Sequence, residues 1–188
     1  QAKGIPINKL LDCMSGNSGL TENEIYQKIK IEGPRYLVLS SSTQEDTLLG
    51  EIPHCYINGK PLKIFENKEG ILVIRNGLAG KTFFLQKGKY TINDHAYILS
   101  IKEKCEYEIS LKWLIIQYGK VFLEYSSSSD NGTWNKTGFF KNVKIDLPSY
   151  TEQVRVVEVY GELEDIDNKI KLINKKIENI FSRQVVAG

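Results

Sequence analysis

The run Arg75-Asn76-Gly77-Leu78-Ala79-Gly80-Lys81-Thr82 ends in G-K-T after an apolar stretch, the arrangement that cradles nucleotide phosphates. A phosphate loop needs a glycine where Arg75 stands, and a helix N-terminus aimed at the anion directly after the motif. Here Phe83-Phe84-Leu85 follows, which reads as a strand. The segment is better read as a tight glycine turn joining two strands, with Arg75 and Lys81 held at its ends. Cations so placed can meet a DNA backbone or a guanine edge, or simply face solvent.

Other chemistry finds no complete set of groups. His54 and His95 are the only histidines, without the cysteine or carboxylate spacing of a metal site or a catalytic triad. Glu66-Asn67-Lys68 has the E-x-K spacing of half a nuclease centre, but no Pro-Asp strand precedes it, so it reads as a surface charge cluster. Neither a glycine-rich cofactor turn nor an amino-methyltransferase motif is present. The expectation is a non-enzymatic chain that holds no cofactor or metal of its own. Cys13, Cys55 and Cys105 are widely spaced and odd in number, the usage of a reducing cytoplasm. Each reads as a small core residue.

Three polar segments resist explanation as packing: Ser15-Gly16-Asn17-Ser18-Gly19, Ser40-Ser41-Ser42-Thr43-Gln44 and Thr133-Trp134-Asn135-Lys136-Thr137. Short hydroxyl and amide side chains beside Lys or Arg suit a DNA surface, where phosphate contacts position a protein and amide or guanidinium groups read base edges. Taken singly, such segments also serve as turns and helix caps.

The elements that would position them divide near Pro148. Before it, short β-rich runs alternate with glycines and polar clusters. Thr21 and Glu24 form a capping signal for a short helix that ends before Gly33-Pro34. Strands are expected at 36–40, 71–74, 81–85, 96–101 and 143–147, with a hairpin turn at Asn58-Gly59. Ser110 caps a helix through Tyr125, and 134–140 reads as a compact polar–aromatic segment. After Pro148, Ser149 and Glu152 form a capping box for a long helix. Along it Val156, Val159, Leu163, Ile166, Ile170, Ile173, Ile177 and Ile180 recur at alternating spacings of three and four, a coiled-coil seam. Such a stripe cannot bury itself, so the helix is expected to pair.

The chain has 188 residues and a net charge of +2, with 41% hydrophobic residues, enough for a real core. Residues 149–188 hold six basic and seven acidic groups, leaving 19 basic against 16 acidic in 1–148, so the first part is the more basic. No membrane span or signal peptide is legible. The expected fold is α+β: a globular domain at 1–148, built on a twisted, largely antiparallel sheet with short helices, and a coiled-coil dimerisation or spacer helix at 149–188.

The stretches Tyr36–Thr43, Ile74–Lys81, Tyr90–Leu99 and Thr133–Phe140, in that order, with Thr151-Glu152-Gln153 after Pro148, resemble the specificity subunits of Type I restriction–modification systems and the target-recognition regions of related Type II enzymes. The resemblance implies sequence-specific binding of half of a split double-stranded DNA site. It also implies docking of methyltransferase subunits, which bind S-adenosylmethionine and methylate adenine N6, and of a restriction subunit. On that basis the expected DNA contacts are Ser15, Asn17, Ser41, Ser42, Thr43, Arg75, Lys81, Asn93, Asn135, Lys136 and Thr137. With one domain and one helix, the chain is either a half-subunit that forms a homodimer or part of a longer chain. Two alternatives stay open: the recognition region of a Type II restriction–methyltransferase enzyme, and a coiled-coil interaction module without DNA binding.

Overall fold

The computed structural model describes residues 2–41, 48–127 and 132–186. The chain opens with β1 (Ala2–Pro6), α1 (Ile7–Leu10) and β2 (Leu11–Ser15), then α2 (Glu22–Lys28), β3 (Arg35–Leu39) and β4 (Leu48–Pro53). Short strands β5 (Tyr56–Ile57), β6 (Lys60–Pro61) and β7 (Phe65–Glu66) precede the longer β8 (Gly70–Ile74), β9 (Thr82–Leu85), β10 (Lys89–Ile92) and β11 (Ala96–Ile101). The last elements are α3 (Leu111–Glu124), α4 (Lys136–Asn142), β12 (Lys144–Leu147) and α5 (Tyr150–Val186).

Local chemistry sets many of these limits. Thr21 Oγ1 accepts the Glu24 N–H at 3.2 Å and opens α2, and Ser110 Oγ accepts the Trp113 N–H at 3.3 Å and opens α3. At α5 the box is reciprocal: Glu152 donates its N–H to Ser149 Oγ, and its carboxylate accepts the Ser149 N–H at 3.0 Å. The Ser149 hydroxyl also donates to that carboxylate at 2.8 Å, and this bond, with the one from the backbone N–H, holds the Glu152 carboxyl below its ordinary range. Asn58 and Gly59 have φ of 49° and 73°, the left-handed pair that a two-residue hairpin turn requires between β5 and β6.

The strands form two four-stranded sheets, ordered β4-β3-β10-β7 and β2-β11-β8-β9, besides two small ribbons, β5-β6 and β1-β12. All ladders are antiparallel except β10 with β3, which run parallel. The α+β class and long C-terminal helix match the sequence reading, while the single expected sheet is resolved into two.

The sheet carrying β11 is buried on both faces, and the period of two sorts its side chains. Ile71, Val73, Tyr97 and Leu99 face a core shared with α3 and α4, where Trp113, Phe122, Trp134 and Phe139 pack. Leu72, Ile74, Ala96 and Ile98 face the opposite core with Phe65, Tyr90 and Ile92. A third cluster joins α2 to β3 and β4 through Ile25, Val38 and Ile52.

Several elements were not expected, among them α1, β2, β4 and β10, and two of them are instructive. Residues 134–140 are largely helical, because Asn135 Oδ1 accepts the Gly138 N–H at 2.8 Å and caps α4. Strand β1 pairs with β12 over a sequence distance that no local pattern reveals.

The first turn of α5 is fastened to the globular part by Gln153, which is fully buried. Its Oε1 accepts the Ser110 N–H at 2.8 Å, and its Nε2 donates to the Glu108 and Pro148 carbonyls at 3.0 and 3.1 Å. Farther along, Val157, Tyr160, Gly161 and Glu164 border a groove of about 290 Å³ with Phe84, Lys112, Ile115 and Ile116. At ~3.6 residues per turn the seam falls on the other side of the helix. Val156 packs partly into the domain core. Val159, Leu163, Ile166, Ile170, Ile173 and Ile177 are exposed, each by 44–59%. The Ile180 side chain lies outside the described residues.

Candidate nucleic-acid interface

The polar segments singled out along the chain meet at one end of the two sheets, and the residues that tie them together are themselves buried. Asn17 is 5% exposed: its Nδ2 donates to Thr91 Oγ1 at 3.0 Å and the Ile92 carbonyl at 2.8 Å, and its Oδ1 accepts the Lys63 N–H at 2.8 Å. Asn93 is 7% exposed: its Nδ2 donates to Ser40 Oγ at 2.7 Å, and its Oδ1 accepts the His95 N–H at 3.1 Å. Asn17 and Asn93 also form a parallel bridge. Both amides were expected to contact DNA. The structure instead uses them inside the fold, because buried backbone groups left by two converging loops need partners. They frame the surface rather than form it.

Around that frame, Ser15 is half-buried and its Oγ accepts a hydrogen bond from Lys63 Nζ at 2.8 Å. The same ammonium donates to the Ser15 and Gly16 carbonyls at 3.3 and 3.1 Å. Ser41 borders a cleft of about 620 Å³ with Thr21, Glu22, Asn93, Asp94 and His95. Ser42 and Thr43 lie outside the described residues.

The β8–β9 connection is the glycine turn read from the sequence, with φ of 81° at Gly77 and 83° at Gly80. Gly80 is required for a second reason, since a Cβ there would lie 2.6 Å from the Phe122 carbonyl oxygen. The turn is stitched to its neighbours through Arg75: its N–H donates to the His95 carbonyl at 2.9 Å, and its carbonyl accepts the Trp134 N–H at 2.8 Å. Asn76 Nδ2 donates to Thr133 Oγ1 at 3.2 Å, and Asn76 Oδ1 lies 3.4 Å from His95 Nδ1. Segments 75–77, 93–95 and 133–137 therefore form one continuous surface.

Two cations of this surface share one aromatic ring. Arg75 Nη1 donates to the Asp94 carbonyl at 3.1 Å, and its Cζ lies 5.8 Å from the centre of the Tyr97 ring. Lys136 Nζ lies 5.5 Å from the same centre. Lys81, at the far end of the turn, is exposed with its Nζ 5.2 Å from the Phe83 ring centre. Asn135 and Thr137 are exposed, although the Asn135 carbonyl is committed to its helix cap.

Sequence reasoning passed over Lys63, and it named Asn76, Asp94, His95, Tyr97 and Thr133 only within longer segments, not as contacts. The turn chemistry at Asn76 was legible. Tyr97, by contrast, reads as any strand aromatic, and its role depends on what the fold lays over it.

Arg75, Lys81 and Lys136, with Lys63 beside Ser15, give this surface cations suited to polyanions. Among the described residues there is no group of three His, Cys, Asp or Glu side chains able to hold a metal ion. Cys13 has its thiol pushed by burial from 9.0 up to about 11, against a smaller opposing pull from Lys136. A thiol held protonated is no nucleophile at neutral pH. No helix of the described residues is long and apolar enough to cross a membrane.

No curated protein matches the sequence significantly. Among solved structures, the chain superposes on the Type I restriction–modification S subunit from M. genitalium with a TM-score of 0.57 and 17% identity, covering 87% of this chain and 39% of that one. A chain from a structure titled for complex assembly and conformational transition of the type I R-M system gives a TM-score of 0.66 at 16% identity, covering 95% of this chain and 42% of that one. The HsdS subunit from Thermoanaerobacter tengcongensis gives 0.57 at 16%, covering 86% and 37%. The chain thus spans about two fifths of the length of these proteins. The profile of the Type I restriction modification DNA specificity domain matches residues 18–181, from just before α2 to near the end of α5. By that match the chain belongs to the family of Type I restriction–modification DNA specificity domains.

Proposed function

We propose that this domain reads one half of a split site in double-stranded DNA and directs an adenine-N6 methyltransferase, and the restriction subunit of the same system, to that site. The observation that carries the reading is the convergence of Arg75 and Lys136 on Tyr97, where segments 75–77, 93–95 and 133–137 join. Lys63 and Lys81 add charge on neighbouring segments. An ammonium there answers a phosphate, while a guanidinium held at its base offers a planar fork to a guanine edge. Arg75, Lys81, Lys136 and Thr137 are the residues assigned to DNA, with Ser15, Ser41 and Asn135 beside them.

The reaction belongs to the partner. In this reading the chain supplies no catalytic group and binds no cofactor; S-adenosylmethionine is held by the methyltransferase subunit, in the cytoplasm. The exposed stripe Val159–Ile177 pairs with a second copy in antiparallel orientation, or with another helix of a longer chain, and sets the distance between half-sites. Burying each of its aliphatic side chains is worth roughly 1.5–3 kcal/mol.

The deciding experiment selects bound duplexes from a random DNA pool with the methyltransferase partner present. A split motif should emerge, degraded by Arg75→Ala in both halves if two copies pair and in one half if a longer chain supplies the other. Selection that enriches no motif, with the complex intact, overturns the proposal.

A further inference from the structure

We propose that Tyr97 is the positioning residue of the recognition surface: its ring aligns Arg75 and Lys136 before DNA arrives. The proposal rests on the reading of these two cations as DNA contacts.

Tyr97 sits on β11 between Val73 of β8 and Ser15 of β2, and is 8% exposed. It cannot itself serve as a stacking platform for bases. Its ring is fixed from within by Trp134, with centroids 5.7 Å apart and planes inclined at 54°. Trp134 is in turn held by its Nε1 hydrogen bond to the Phe122 carbonyl at 2.9 Å. The ring is therefore a rigid part of the core with cations as its outer neighbours. Arg75 and Lys136 come from different elements, the β8–β9 turn and the first residue of α4, and no hydrogen bond links them.

Two like charges gathered at one ring repel each other, and an anion between them relieves the repulsion. The free protein keeps them there by other means. The Asp94 carbonyl takes Arg75 Nη1, while Arg75 Nε is buried without a hydrogen-bond partner. The negative face of an aromatic ring is the remaining counterweight for both charges. A side chain held in its bound position loses less entropy on binding, and each one so ordered saves a factor of several in affinity. Two together should be worth between about fivefold and a hundredfold.

The test uses the full chain and a fluorescein-labelled duplex of mixed sequence, followed by a duplex enriched by selection. Arg75→Ala and Lys136→Ala come first: if neither weakens binding, the assignment of this surface to DNA fails, whatever Tyr97 does. Provided they do weaken it, Tyr97→Phe should bind as wild type, since the ring remains. Progressive fluorination of Phe at position 97 drains the ring's negative face with little change of shape. Affinity should then fall stepwise, with thermal stability nearly constant. Tyr97→Leu should bind about fivefold to a hundredfold more weakly, with the log–log salt slope unchanged, since the Lys136 phosphate contact still forms in the complex. In that background Lys136→Ala should cost less than it does in wild type, the non-additivity of a shared contact. A flat fluorination series, or full additivity of Tyr97→Leu with Lys136→Ala, overturns the proposal. Should Tyr97→Leu fail to fold, the fluorination series decides alone.

Discussion

Replacing Gln153 with leucine removes the fastening between the arm and the recognition domain while nearly conserving volume. The side chain is fully buried and makes three hydrogen bonds, at 2.8, 3.0 and 3.1 Å. Leucine leaves the Ser110 N–H, the first donor of the α3 cap, facing an apolar group, along with two carbonyls. A typical bond contributes about 0.5–1.5 kcal/mol net, and a buried group left unsatisfied costs about 1–3 kcal/mol. The carbonyls have second lone pairs and cost less than the orphaned N–H. The expected loss is therefore about 2–4 kcal/mol. Urea unfolding followed by tryptophan fluorescence reads it directly, because the chain has two tryptophans, Trp113 and Trp134, both buried in the domain core, and Trp113 lies in the α3 turn capped by Ser110. Protein concentration must be held fixed, since arm pairing would add to the apparent stability. The slope with denaturant should be unchanged while the midpoint falls. A loss below about 0.5 kcal/mol at constant slope would show that the three bonds are replaced by water at no cost, and would refute the reasoning.

Ile170→Asp with Ile173→Asp places two carboxylates in the exposed stripe, where a paired arm would bury them. Sedimentation should find this variant monomeric with the recognition domain folded, and a wild-type chain that stays monomeric at high micromolar concentration would refute self-pairing. Gly16→Ala builds a Cβ 1.6 Å from the Asn93 carbonyl oxygen, so the joint between the two loops must open; thermal melts should show more than about 3 kcal/mol lost, and a near-native melt would contradict the close approach. Cys13 should resist alkylation at pH 8, since its thiol is held to about 11. Because the folded state keeps a proton that the unfolded thiol releases near 9.0, stability should also decline as pH rises from 9 towards 11, and Cys13→Ala should remove that part of the decline.

What the sequence disclosed and what it withheld follow from the range of the interactions concerned. Caps at Thr21, Ser110 and Ser149 act over three residues, and the stripe on α5 repeats within one helix; both were legible. The Asn58-Gly59 turn and the glycine turn after Arg75 announce themselves through residues that tolerate positive φ. The helix α4 was missed, because Gly138 and the aromatic pair Phe139-Phe140 hid the cap that Asn135 supplies. Strand β1 was missed because its partner, β12, is the last strand of the domain. The recognition surface was legible as segments but not by residue. Asn17 and Asn93 have the composition of base readers and the position of internal braces, and only the meeting of two loops decides between those roles. Tyr97 was passed over for the opposite reason: nothing in an apolar strand foretells which two cations will be laid across one ring.

The ribbon of β1 and β12 has a consequence for how such a domain can be carried. Ala2 lies opposite Leu147, three residues before α5 begins, so the polypeptide comes into the globular unit and leaves it at the same place. The unit is in effect a bead hung on a stem by two adjacent strands. Exchange of residues between those strands for another bead would leave the stem's course unaltered. Joining a helix ahead of Ala2 would bring it in beside the root of α5, in position to run alongside it.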